Sequence, residues 1–144
     1  MTFEDIFKAW EVDSFVDKTE LSDESLKIPK LHHKYSLMFY TERTILRNLE
    51  AEYKTLKFNK TDFFANGPDE ETIKLNWKLP PKGRILKVEI QSYVESDQDI
   101  INLSLKIGLQ QDKVDFIDSI IKTINHRGYI IRNAIDFEKW IGGN

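Results

Sequence analysis

Between residues 100 and 124 the apolar side chains keep an unbroken three-and-four spacing: Ile100, Leu103, Ile107, Gln110, Val114, Ile117, Ile121 and Ile124. Gln110 is the single polar member. Such a line stays on one face of an α-helix and must be covered by another helix. Ile101, Leu105, Phe116 and Ile120 widen the stripe beyond what one helix contact hides. The chain is thereby committed to helix-on-helix packing, and the surplus apolar face predicts a homo-oligomer. Before the seam, Ser96 is placed to cap, with Asp97 and Asp99 at the positive end of the helix dipole. Arg127 and Gly128 follow it as a cation at the negative end and a residue suited to a left-handed cap. The expected span is 97–126.

An earlier, weaker seam precedes this one. Steps of four and three from Leu31 reach Tyr35, Met38, Glu42, Ile45, Leu49, Glu52, Leu56, Asn59 and Phe63. Asp17 and Glu20 have the spacing of a capping box, Pro29 either kinks the helix or restarts it, and Asn66, Gly67 and Pro68 end it. A long helix over 19–64 is expected. From Ile73 the period changes to two, with Ile73, Leu75, Trp77 and Leu79 on one side of a Pro-Pro-Lys-Gly turn and Leu86, Val88 and Ile90 on the other. That alternation predicts a β-hairpin over 72–91, which needs a helix or a second subunit to lie on. Beyond Gly128, Ile130, Ala134, Phe137 and Ile141 return to helical spacing and predict a short C-terminal helix over 129–141. Its apolar residues Ile130, Ile131, Phe137, Trp140 and Ile141 exceed what a terminal helix buries alone, so they are the candidate oligomerisation surface. A flap folded over the protomer's own core is the competing reading. The expected fold is therefore mainly α, one domain over 1–144, with two long seamed helices, a short third helix, a hairpin and an acidic segment over 1–16.

Composition narrows the function. The 144 residues contain no cysteine, so disulfides, thiolate metal sites and cysteine nucleophiles are absent. Apolar runs fall far short of a membrane span. The glycines lack both Walker and dinucleotide spacing, the three histidines have no ligand pattern, and no nucleophile, histidine and acid arrangement can be nominated. No catalytic residue, metal or cofactor is expected. Asp97 and Asp99 with Glu95 could suggest a metal-dependent nuclease, but capping already accounts for the aspartates.

The net charge of −3 is unevenly distributed. Residues 1–24 hold eight acids and two bases, whereas residues 26–60 hold eight bases and three acids. A basic stretch in an acidic chain reads as a local anion-binding face. Within Glu52–Gly67, Lys54, Lys57 and Lys60 recur every three residues, with Phe58, Phe63 and Phe64 interleaved. Cations neutralise phosphates and aromatic faces stack on unpaired bases, the usual composition of a single-strand binding surface. Phe63 falls on the seam and is expected inside; Phe58 and Phe64 are the open candidates. Lys82, Arg84 and Lys87 form a second basic group at the hairpin turn. The acidic N-terminal segment, with Phe3, Ile6, Phe7 and Trp10 on one helical face, is a candidate docking element for a basic partner.

From Phe15 to Phe64 the strings FVDKTELSDES, LRNLEAE and DFF, then YVESDQDII, and finally RGYIIRNAIDFEKWIGG, together resemble the UvsY family of T-even-type bacteriophage recombination mediators. The resemblance spans about three quarters of the chain as spaced similarities. It implies a ring-like or open-barrel homo-oligomer of six or seven subunits, binding single-stranded DNA in the cytoplasm of an infected bacterium. It further implies contact with the phage single-strand-binding protein and assistance in loading a UvsX-type recombinase, without a catalytic centre. The family's Lys-Ala-Arg-Leu motif before an acid and two aromatics corresponds here to Phe58, Asn59, Lys60 and Thr61 ahead of Asp62, Phe63 and Phe64. Only Lys60 keeps its charge, with Lys57 and Lys54 as substitutes. The stretch 67–91 has no counterpart that aligns. The rival reading is a helical oligomeric adaptor or scaffold without a nucleic-acid role.

Overall fold

A computed structural model of the chain describes residues 1–81, 83 and 85–143. Its helices are α1 (Phe3–Asp13), α2 (Leu21–Leu26), α3 (Ile28–Asn66), α4 (Glu70–Lys74), α5 (Ile90–Ser96) and α6 (Gln98–Ile141), with a 3₁₀ turn at Lys87–Glu89. The fold is mainly helical, as the seams require. Two compact units divide it: Met1–Thr44 with Gln111–Asn144, and Ile45–Gln110.

In the first unit, Ile6, Tyr35, Ile117, Ile120 and Ile124 are buried together, with Trp10, Leu31 and Met38 against them. α1 starts on a capping box in which the Thr2 hydroxyl accepts from the Asp5 amide and the Asp5 carboxylate accepts from the Thr2 amide. The apolar face expected to dock a partner is used internally: Ile6 is fully buried, and Phe3 and Phe7 pack on Phe116. At the other end of α1, Arg127 donates to the Asp13 carbonyl at 2.6 Å and lies over the Trp10 ring. It thus supplies the cation that this helix lacks in its own last turn. The Asp13 carboxylate accepts from Lys34 at 2.6 Å and from the Tyr35 hydroxyl at 2.8 Å. Burial alone would raise its pKa, but these two donors hold it below the ordinary carboxylate value. Burial pushes the Tyr35 phenol upward, and the same carboxylate adds to the shift.

The second unit is centred on Phe63, Phe64, Val94 and Ile100, with Tyr53, Leu56, Trp77 and Ile90 packed on them. Gly67, at φ 85°, ends α3 with its amide on the Phe63 carbonyl at 2.9 Å, matching the expected stop.

Several sequence expectations are corrected. No strand occurs among the described residues, so the hairpin over 72–91 does not form. Asp69 instead nucleates α4 through a reciprocal cap with Thr72. Asn76, at φ 61°, terminates it: Asn76 and Trp77 amides return to the Ile73 and Thr72 carbonyls, the paired bonds of a Schellman end. The alternating apolar residues never form a sheet face, and Ile73, Leu75, Leu86 and Val88 are exposed.

Nor does a break occur at Arg127–Gly128, because α6 runs through it to Ile141. Arg127 and Ile131 continue the three-and-four line beyond Ile124, and both are buried. Glycine on the outer face weakens a helix but does not stop it when its neighbours remain anchored. The Asp17–Glu20 box is also absent: Asp17 accepts from the Thr19 amide and hydroxyl, and α3 begins only at Ile28, with Pro29 in its first turn. Asp97, not Ser96, caps α6, accepting from the Asp99 and Ile100 amides; the Ser96 hydroxyl bonds back to Ser92.

Candidate nucleic-acid interface

α3 carries all three lysines of the expected cationic group, but helix geometry separates them. Steps of three residues lag one turn by about 60°, so a triplet at 54, 57 and 60 sweeps about 120° of the helix surface. Exposure falls along that sweep: Lys54 is exposed, Lys57 half-buried and Lys60 buried at 3%. The Lys60 ammonium sits 3.1 Å from Asp97 Oδ1 and 2.9 Å from Asp99 Oδ2, and 3.9 Å from the centroid of the Trp77 ring. Two carboxylates and an aromatic face make it a clamp that joins α3 to the start of α6 and to the segment after α4. The two aspartates that suggested a metal site converge on this lysine. Among the described residues, no group of three or more acids and histidines is placed to hold a metal ion.

The seam count places Asn59, not Lys60, on the buried line. A strict 3.5-residue repeat lags a 3.6-residue helix by about 20° per heptad, so over several heptads the buried line passes from one residue to the next. Asn59 was the expected seam residue and is exposed; Lys60 takes its place inside.

Lys54 and Lys57 have no ion-pair partner among the described residues. They edge a shallow cleft of about 420 Å³ with Tyr53, Ser104 and Ile107, and Glu50 is the one acidic residue among the described residues lining it. Phe58 stands 75% exposed beside Lys57, as a stacking ring requires, whereas Phe64 is 8% exposed and packs on Phe63 and Tyr93. Phe63 is inside, as expected. Arg47 was not singled out in the sequence. Lying two turns before Lys54, it shares that face and is exposed; the seven-residue spacing from Lys54 was the available signal. Lys82 and Arg84 lie outside the described residues; Lys87 is exposed.

Of the five residues expected to mediate self-association, Ile131 is buried within its own unit at 2%. Ile130, Phe137, Trp140 and Ile141 are between 56% and 77% exposed on the last turns of α6, with the Phe137 and Trp140 rings stacked at 6.2 Å.

The family described as "Recombination, repair and ssDNA binding protein UvsY" matches residues 9–144. The chain belongs to the UvsY family. Crystal structures of the bacteriophage T4 recombination mediator protein UvsY share its fold. The lattice type II form superposes with a TM-score of 0.83 at 20% identity, covering 99% of this chain and 98% of that one. The lattice type I form gives 0.80 at 19% identity over 94% and 98%. No curated protein sequence matches the chain. The family match runs through residues 67–91, the stretch for which the resemblance gave no counterpart. No helix among the described residues is long and apolar enough to cross a membrane.

Proposed function

We propose that this UvsY-family protein binds single-stranded DNA through Arg47, Lys54 and Lys57 of α3, with Phe58 as a stacking ring. As an assembled mediator it then assists a phage recombinase onto DNA held by the single-strand-binding protein, in homologous recombination, recombination-dependent replication and repair. The observation that carries the reading is a line of cations with no ion-pair partner among the described residues, beside an exposed phenylalanine in a chain of net negative charge. Charges already committed to carboxylates have little left for phosphate, which removes Lys60 from the line and leaves Lys54 and Lys57 in it.

Each contact is weak, so affinity comes from repetition. Exposed Ile130, Phe137, Trp140 and Ile141 supply a surface for self-association into six or seven subunits, and an oligomer multiplies the cationic line by effective concentration. Drawing a strand along repeated lines changes its path, which disfavours the resident binding protein and favours the recombinase filament. The setting is the cytoplasm of an infected bacterium.

Titration of labelled oligo-dT at several salt concentrations tests the proposal. Log affinity should fall with log salt by roughly 0.7 per neutralised phosphate. Lys54→Ala with Lys57→Ala should lower that slope by roughly 1.4 per engaged subunit while the assembly mass stays constant. An unchanged slope moves the site elsewhere, and no binding in dilute buffer leaves the adaptor reading in its place.

A further inference from the structure

Beside the last turns of α3 a cavity of about 1060 Å³ opens within the Ile45–Gln110 unit. Phe64, Leu79, Leu86 and Ile90 give it an apolar wall, Asn66 adds an amide, and Lys87 brings a cation. None of the described residues lining it is acidic. That volume is at the upper end of the range for small-ligand pockets, room for a flat ring with its sugar.

The cavity continues the cationic line. Thr61 and Ala65 follow Lys57 at successive four-residue steps, so Lys54, Lys57, Thr61 and Ala65 form one stripe, and its last two members line the cavity. The Thr61 hydroxyl donates to the Lys57 carbonyl at 2.7 Å. From Lys57 to Ala65 the stripe runs roughly 12 Å. Cations leading into an apolar, acid-free recess match a polymer that alternates phosphates with heteroaromatic rings. We infer that the cavity receives one unstacked nucleobase of a single strand whose phosphates lie on Lys54 and Lys57. The inference rests on the single-strand reading above and adds to it a base-holding pocket. A base taken from its stack kinks the strand at a fixed point of each subunit, giving the altered path a structural origin.

The test compares oligo-dT with an abasic oligonucleotide of equal length, which keeps every phosphate and removes every base. Fluorescence anisotropy of the full chain should show the abasic strand binding about tenfold or more weakly, with the same salt slope. In a Phe58→Ala background, which removes the exposed ring, part of that preference should persist. Ala65→Leu, at an exposed helical position on the cavity mouth, should then bring the ratio close to one with the slope retained. Leu86→Ser, at a residue 62% exposed, should act in the same direction without adding bulk. Equal affinity of the two strands for the unmodified protein, with a normal slope, overturns the pocket and leaves the phosphate reading standing. Failure of both strands to bind in dilute buffer overturns the single-strand reading and the pocket with it. A preference abolished by Phe58→Ala alone, or an assembly mass that falls with Ala65→Leu, also overturns the pocket. The first result assigns base contact to the open ring, and the second seats another copy of the chain in the cavity.

Discussion

Lys54 and Lys60 are chemically the same residue on the same helix, and their surroundings give them different work. Lys54 faces solvent with no ion-pair partner among the described residues; Lys60 is enclosed by Asp97, Asp99 and Trp77. Replacing Lys60 with Met should lower unfolding free energy by about 2 kcal/mol, because Asp97, only 16% exposed, loses its charged partner. The melting temperature reads the loss, while the salt slope for oligo-dT stays as in the unmodified protein. Asp13 makes a second residue-scale prediction. Its carboxyl is held below the ordinary 3.8, so its contribution is complete above that value and is lost as pH falls through the lower folded-state pKa. Urea unfolding of Asp13→Asn should show a loss of about 1–2 kcal/mol at pH 7, and that difference should shrink as the pH is lowered below about 4.

At the scale of elements, glycine separates what ends a helix from what merely weakens one. Gly128 lies inside α6 with open space around its Cα and no positive φ. Gly128→Ala should therefore raise stability by about 0.5–1 kcal/mol, measured by thermal unfolding. Gly67 adopts φ 85° at the end of α3, so Gly67→Ala should cost about 1 kcal/mol in the same measurement. The pair tests whether α6 is continuous; a destabilising Gly128→Ala would restore the two-helix reading of its C-terminal part. The segment after Gly67 makes the complementary point. Asp69 and Thr72 held a readable capping signal, but the alternation of Ile73, Leu75, Trp77 and Leu79 spoke for a strand. The cap prevailed because two stranded segments with no third strand have no sheet to join, while Trp77 has Lys60 to cover.

For the molecule as a whole, exposed apolar side chains at the end of α6 bear on assembly. Phe137→Ser with Trp140→Ser alters rings that are 59% and 77% exposed, so the protomer should keep its helical content. Light scattering at micromolar concentration should show the unmodified chain at a multiple of 17.0 kDa and the double variant at a lower mass. An unchanged mass would place self-association on another surface.

Periodicity and composition alone determined a helical chain, the second seam from Ile100 to Ile124, the stop at Gly67 and the basic stretch around α3. These depend on neighbours along the chain and on helix period, which sequence spacing records directly. Whether a lysine faces solvent or two aspartates, whether Phe64 stacks outward or packs on Tyr93, and whether Arg127 ends a helix or anchors its middle were decided by tertiary structure. Those outcomes depend on partners tens of residues away, and no local spacing encodes which distant carboxylate or carbonyl a side chain will meet.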